Sequence, residues 1–559
     1  MRREVSVVNK KVCSFPILFA LLALLIGTCA VVFPASAQAA PTSTGSITVS
    51  GTVASSYDAY QIFSANVVDG DSDAKIATDL AWASDAVRDA ALPVLHSAGM
   101  PNSQTTAQEA AEWLNTDSHL TSALSAQLAR SLQSSAAESV ALNAGTTTEL
   151  SCGYWLIVAD DDAIAQGEAG TAPIMALVGG NAVTVKPKAA TPKVAKHVLE
   201  DSAAAWQKAA DATVADDLYW RLSATVPAGL SAYDTYAVQF VDTMSAGLDP
   251  SKVAASMRVY AAAGADGGFD AVSAGKDGRA GTEPAKGWTD ITAQCATKVA
   301  ADGKTFTVRT GDLIAALGGA DAFAAGARVV AVYDAPLNGA CNHGIAKGNP
   351  NEVYLRYPRS PFADQSGDTG FTHTPSDDAC AYTWDLALTK RGSDGDKPLA
   401  GAVLSIADDR GRTLAADGTW DAEDKATVTT GKDGRVTVSG VDSGKLEVRE
   451  LKAPKGYTAF EGTRSVTVKA EGLDVDQVAA AKPKLTITAE SPLRADSADG
   501  STGSLEASLI NTPANVSPRG FMPSTGDMAM FAAAAVAVAG AALIVVALLV
   551  KRGGGSHKK

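Results

Sequence analysis

Apolar and polar residues alternate with a period of two along much of this chain, the pattern of strands that turn one face toward a core. It is visible at Ser46-Ile47-Thr48-Val49, and a continuous strand-like run follows at Tyr154-Trp155-Leu156-Ile157-Val158. Between them a polar, Ala-rich insert from about Asp73 to Leu142 changes period: Ala107, Ala110, Ala111 and Leu114 fall on one face of a helix. From Pro192 to about Pro361 strands alternate with Gly-rich loops, and from Tyr382 to Thr512 shorter strands are joined by tight turns. One such turn, Lys432-Asp433-Gly434, predicts a hairpin between Thr427-Val428-Thr429 and Val436-Thr437-Val438. The elements predict an all-β chain of tandem β-sandwiches, the first carrying a helical excursion. A length of 559 residues is too great for one core and fits three or four domains.

Two longer apolar runs sit outside this pattern. Arg2, Arg3, Lys10 and Lys11 precede an apolar stretch from Phe15 to Phe33 and then Ala35-Ser36-Ala37-Gln38-Ala39, the layout of a secretory signal peptide over residues 1–39, cleaved after Ala37 or Ala39. Near the other end Met528 to Val550 is long enough to span a bilayer, and Lys551, Arg552, Lys558 and Lys559 follow it as a cytoplasmic stop. Immediately before that span lies Met522-Pro523-Ser524-Thr525-Gly526, which resembles the sorting signal of sortase substrates, usually Leu-Pro-any-Thr-Gly. Met522 stands for the Leu. The resemblance implies that a sortase thiolate attacks the Thr525 carbonyl, releases Gly526 onward with the transmembrane sorting helix, and passes the acyl group to an amine.

Each end carries four basic residues and one acidic residue, so removing both deepens the formal charge from −14 to −20. Such acidity argues against nucleic acid as a partner. Of six cysteines, Cys13 and Cys29 lie in the signal; Cys152, Cys295, Cys341 and Cys380 remain and allow three pairings. Cys341-Asn342-His343 lacks a second ligand pair at zinc spacing, and the Asp69, Asp71, Asp73 series lacks the Gly and Glu of a calcium loop, so no metal and no cofactor is expected. There is no His-Glu-x-x-His, Gly-x-Ser-x-Gly or phosphate-loop motif, and a turnover enzyme is not expected.

The strand parity carries the chemistry. Leu386, Leu388 and Lys390 share a face, as do Leu446, Val448 and Glu450, and Leu505, Leu509 and Asn511. The middle region repeats this with Val194, Lys196 and Val198; Tyr236, Val238, Phe240 and Asp242; and Asn351, Val353 and Leu355. Each region thus directs a lysine, a carboxylate and an asparagine toward an apolar core, where a lysine is costly unless paired or neutral. Asn349 has the same parity as Asn351, although Pro350 ends regular pairing there.

With Leu399-Ala400-Gly401-Ala402 after the lysine, the acidic box Glu450-Leu451-Lys452-Ala453-Pro454-Lys455-Gly456-Tyr457, and Asn511-Thr512-Pro513 closing the last strand, the C-terminal region resembles the B-type immunoglobulin-like repeat of Gram-positive collagen adhesins and pilins. Pro192-Lys193-Val194-Ala195-Lys196, Phe240-Val241-Asp242-Thr243-Met244 and Gly348-Asn349-Pro350-Asn351 resemble the fimbrial isopeptide-forming domain, an A-type relative; Tyr357-Pro358-Arg359-Ser360 departs from its usual Tyr-Ser-Asn. The resemblance implies autocatalytic Lys–Asn bonds, Lys390 to Asn511 and Lys196 to Asn351, tying first strands to last. Glu450 and Asp242 would be the catalytic carboxylates: Glu450, its pKa raised by burial, polarises the amide carbonyl and shuttles protons while Lys390, its pKa lowered by burial, attacks as a neutral amine.

Backbone pilins present an acceptor lysine in a Tyr-Pro-Lys-Asn motif, and Val183-Thr184-Val185-Lys186-Pro187-Lys188 occupies the corresponding place, which makes Lys188 the expected polymerisation lysine. The expected layout is a signal at 1–39, an N-terminal pilin domain at 40–187, a fimbrial isopeptide-forming domain at 188–380, a B-type Ig-like domain at 381–515, spacer and sorting motif at 516–526, and membrane helix with basic tail at 527–559. The expected function is a pilus shaft subunit at the cell surface, with sortase, other pilin subunits and peptidoglycan as partners. The alternative is a wall-anchored adhesin or basal pilin that binds a host surface ligand, which a groove beside the helical insert would favour.

Overall fold

The computed structural model describes residues 44–70, 74–116, 118–170, 172–187, 191–214, 216–264, 287–421 and 425–514. The expectations for the signal peptide, Lys188, the pentapeptide Met522–Gly526 and the apolar run after it lie outside the described residues. Among the described residues no helix is long and apolar enough to cross a membrane.

The described chain is mostly strand, arranged as three successive pairs of sheets. In the first pair, strands Lys75–Trp82, Ser56–Asp69, Gly153–Ala159 and Ile174–Val178 neighbour one another in that order, with Ser139–Asn143 added on Ser56–Asp69. A smaller sheet, Thr147–Ser151, Thr44–Val49 and Val183–Val185, covers one face. Ile47, Val49, Leu150 and Val185 meet Trp155 and Ile157 there. The helical insert covers the other face as α1 (Asp85–Ser97), α2 (Ala107–Asn115) and α3 (Ser122–Gln133), started by the caps Ser84, Thr106 and Thr121. Thr106 and Glu109 form a reciprocal capping box, and the predicted stripe Ala107, Ala110, Ala111, Leu114 is buried. Covered on both faces, Gly153–Ala159 is buried at every position, which is why its sequence is continuously apolar rather than alternating.

The second pair holds a six-stranded sheet (Ala205–Gln207, Lys193–Glu200, Tyr219–Val226, Ala327–Asp334, Arg258–Ala263, Thr289–Asp290). It faces a sheet whose strands run Ala209–Asp211, Asp377–Tyr382, Asn349–Pro358, Gln239–Met244, Thr305–Arg309 and Ala296–Val299. Their shared core contains Trp220, Leu222, Phe240, Phe306, Val329, Tyr333, Val353 and Leu355.

In the third pair, Arg435–Val441, Trp384–Gly392, Ser504–Pro513 and Tyr457–Thr458 oppose a sheet built on Val403–Ala407, Gly444–Lys452, Thr463–Glu471 and Lys484–Ala489. The turn at Gly434 forms, with φ of +74°. The predicted hairpin does not: Val428–Thr429 pairs with Val403 and Leu404, whereas Val436–Val438 pairs with Leu386 and Leu388 in the opposite sheet. The Asp-Gly turn carries the chain from one layer to the other, because each flanking strand finds its partner on a different sheet.

The second and third pairs are in contact. Strand Ala209–Asp211 runs parallel to Asp377–Tyr382, and Asp211 Oδ2 accepts hydrogen bonds from Trp384 Nε1, Ser443 N and Ser443 Oγ, each at 2.7 Å.

Candidate functional site

Strand parity holds at all the predicted inward positions of the two lysine-bearing cores. Lys196, Asp242, Asn351 and Lys390 are each 0% exposed, Asn511 is 2% and Glu450 7% exposed. They gather into two clusters.

In the C-terminal cluster Trp384–Gly392 and Ser504–Pro513 are parallel neighbours, with Lys390 opposite Leu509 and Gly392 opposite Asn511. That register brings Lys390 Nζ onto Asn511 Oδ1, to which it donates a hydrogen bond. Glu450 arrives from Gly444–Lys452 of the facing sheet. Its Oε1 lies 3.2 Å from Lys390 Nζ and accepts from Asn511 Nδ2 at 2.9 Å; its Oε2 accepts from Asn511 Nδ2 at 3.0 Å and from the Phe460 amide at 3.1 Å. The Phe460 ring closes the cluster, its centre 5.9 Å from the lysine nitrogen. Burial pushes the Lys390 amine down to about 8, against the opposing pull of Glu450. The carboxylate faces the amide nitrogen, and the carbonyl oxygen faces the lysine. Glu450 Oε1 thus contacts both the Lys390 amine and the Asn511 amide nitrogen.

In the middle cluster Lys196 and Asn351 lie on opposing sheets. Lys196 Nζ pairs with Asp242 Oδ2 and donates to Tyr333 Oη at 2.9 Å. Tyr333 Oη in turn donates to Asp242 Oδ2 at 3.0 Å and accepts from Asn351 Nδ2 at 2.8 Å. Burial moves the Lys196 amine down to about 8, opposed by Asp242, and raises the Asp242 carboxyl, opposed by Lys196 and the Tyr333 hydroxyl. The rings of Trp220 and Tyr333 lie 5.5 Å from the lysine nitrogen. The lysine backbone is held by Asp377, whose Oδ2 accepts from Lys196 N at 2.6 Å and from Lys208 Nζ, while Lys208 Nζ also donates to Lys196 O at 2.8 Å.

Asn351, not Asn349, enters this cluster. The Asn349 amide braces the preceding loop, accepting from Asn342 N at 2.8 Å and donating to Asn342 O at 2.9 Å and Ala381 O at 3.2 Å. The expectation that both clusters tie a first strand to a last one needs correction. It describes the C-terminal pair, but Asn349–Pro358 is followed by Phe371–His373 and Asp377–Tyr382, which pair with it. The last strand slots into the sheet beside the Asn351 strand, so Lys196 and Asn351 bridge two sheets.

Sequence reasoning missed Tyr333, Phe460 and the Lys208–Asp377 brace. Tyr333 had a legible signal: in Ala327–Asp334 it shares parity with core residues Val329 and Ala331, and a tyrosine directed inward needs a partner for its hydroxyl. Cys152, Cys295, Cys341 and Cys380 form no disulfide with one another. Burial raises the Cys295 and Cys380 thiols to about 11. Among the described residues no group of His, Cys, Asp or Glu is disposed to hold a metal.

Part of the chain is similar to a known domain family. Residues 385–482 match the SpaA prealbumin-like fold domain. A curated relative, the trypsin-resistant surface T6 protein of Streptococcus pyogenes serotype M6, is 31% identical over 129 residues; the match takes in 22% of this chain and spans 22% of the relative's length. Among solved structures, the T6 backbone pilin of serotype M6 Streptococcus pyogenes aligns over 86% of this chain and 100% of its own at 16% identity and a TM-score of 0.45. The full-length major pilin SpaD of Corynebacterium diphtheriae aligns over 86% and 100% at 14% identity and a TM-score of 0.41. The stretch that matches the SpaA prealbumin-like fold domain, residues 385–482, contains Lys390 and Glu450.

Proposed function

We propose that this chain is a pilus shaft subunit of a Gram-positive surface, polymerised by sortase from Thr525 of one copy to Lys188 of the next, and finally joined to peptidoglycan. In this reading residues 40–187, 188–380 and 381–515 are its three extracellular domains, and the latter two are locked by the isopeptide bonds Lys196–Asn351 and Lys390–Asn511. The observation that carries the proposal is the meeting, twice, of a buried amine of lowered pKa with a carboxylate and an asparagine amide.

The chemistry follows from the contacts. A neutral Lys390 Nζ attacks the side-chain carbonyl carbon of Asn511, the bond from that carbon to Nδ2 breaks, and ammonia leaves. Glu450 Oε1, within reach of both nitrogens, takes the proton that Nζ sheds and returns it to Nδ2, ending unchanged. The reaction occurs once per cluster, so the chain is a structural protein and not a turnover catalyst. Because Lys390 and Asn511 stand on adjacent parallel strands near opposite ends of the domain's sequence, a bond between them would hold those strands together when the shaft is pulled.

The test is an immunoblot of wall proteins released by muramidase and boiled in SDS, comparing the native chain with Lys188→Ala. A high-mass ladder that the variant loses supports the shaft; a single wall-linked band in both overturns it.

One observation favours the second reading, an adhesin. An apolar groove lies between α2 and the sheet beneath it, lined by Phe63, Leu114, Leu120, Tyr154, Met175 and Leu177, and a groove beside the helical insert is what the adhesin reading expects. Binding of a host-surface extract by the ectodomain, lost on Leu120→Asp, would support it.

A further inference from the structure

The two clusters solve one problem with carboxylates of different length. Glu450 touches both the attacking and the leaving nitrogen with the same oxygen. Asp242, one methylene shorter, touches the lysine, but its hydrogen bonds do not extend to the Asn351 amide. Its second oxygen, Oδ1, and the Asn351 Oδ1 are both buried without a hydrogen-bond partner among the described residues. The gap is filled by Tyr333 Oη, 2.9 Å from Lys196 Nζ, 3.0 Å from Asp242 Oδ2 and 2.8 Å from Asn351 Nδ2. A hydroxyl has one proton to give and two lone pairs, and here all three are engaged by the three reacting groups.

We propose that Tyr333 is a catalytic residue of the middle cluster, the proton relay that lets an aspartate do what the longer glutamate does directly in the other cluster. This rests on the isopeptide reading given above. Lys196 Nζ sheds a proton to Asp242 as it bonds to the Asn351 side-chain carbonyl carbon. The Tyr333 hydroxyl proton passes to Nδ2, the carbon–Nδ2 bond breaks, ammonia departs, and Asp242 returns its proton to the Tyr333 oxygen. Asp242 and Tyr333 finish as they began, and no co-reactant is needed. The ring itself packs edge-on against Phe306, with centres 4.8 Å apart, so a phenylalanine at 333 keeps the packing and removes only the relay.

The experiment follows ammonia loss in the full chain made by cell-free translation, sampled over time, with each cross-linked peptide quantified by mass after proteolysis. In Tyr333→Phe the Lys196–Asn351 peptide should form more slowly by at least about tenfold, the lower edge of what a positioned acid–base group contributes being roughly a hundredfold in full. The Lys390–Asn511 peptide should form at the native rate in the same sample. Adding Asp242→Glu to Tyr333→Phe should restore much of the rate, since the extra methylene occupies the space of the lost hydroxyl and lets the carboxylate reach Nδ2. An unchanged rate in Tyr333→Phe overturns the relay, and so does a slow rate that Asp242→Glu leaves slow, which would mark Tyr333 as a packing residue. A native chain that never yields the Lys196–Asn351 peptide fails differently: it removes the isopeptide reading of this cluster itself.

Discussion

Replacing Glu450 by glutamine isolates what the C-terminal bond contributes. The substitution keeps the shape and a hydrogen-bonding end at the position beside Lys390 and Asn511 but removes the group that carries the proton between them. The bond should then fail to form, and the ectodomain should regain the mass of one ammonia. Lys390 and Asn511 are 121 residues apart, so the native bond closes a long loop in the unfolded chain. Loop-closure entropy for a cross-link of that span is about 5 kcal/mol at room temperature. A unit of roughly 130 residues unfolds with an entropy of about 0.27 kcal/mol per kelvin, so losing the bond should lower its unfolding midpoint by roughly 15–20 °C. The buried lysine left without its anion adds to that loss. Intact mass and scanning calorimetry on the same preparation read both quantities. Retention of the ammonia loss in Glu450→Gln would refute the proton-carrier role. A regained mass with a midpoint shift under about 5 °C would refute the loop-entropy argument, because the full span of the closed loop enters that estimate.

In the middle cluster, Asn351→Ala should restore one ammonia to the mass, whereas Asn349→Ala should leave the bond intact and cost about 1–3 kcal/mol of stability by freeing the Asn342 backbone groups it braces, read by denaturant melts. The rate of both bonds should climb with pH through 6 and 7 and flatten above about 8, since both amines are held near that value and only the neutral form attacks. A pH-independent rate measured by the same mass assay would sink the neutral-lysine mechanism.

Much of the candidate chemistry was legible because a strand repeats with a period of exact parity. Once Leu386 and Leu388 point inward, Lys390 must as well, and the same step places Glu450, Asn511, Lys196, Asp242 and Asn351 in their cores. The helical insert was equally readable, since Ala107, Ala110, Ala111 and Leu114 share one helix face and Thr106 caps it. Parity cannot say which strands become neighbours. The Asp-Gly turn at 433–434 was read as a hairpin because a local signal specifies the reversal and not the partners; Leu404 and Leu388, both distant in sequence, claimed the two flanking strands.

The sequence by itself determined which side chains enter each core, for that depends only on local backbone geometry and the burial of apolar neighbours. Tertiary structure decided the rest. It chose Asn351 over Asn349, two residues of identical parity, because the loop at Asn342 turns back onto Asn349 and consumes its amide. It set Glu450 against the amide nitrogen of Asn511, an orientation fixed by the facing sheet and the Phe460 amide. It also brought Tyr333 from a strand far along the chain to the centre of the middle cluster, where the shorter reach of aspartate leaves room for its hydroxyl. Distances between strands that are remote in sequence arise only when the sheets pack, and proton transfer depends on those distances.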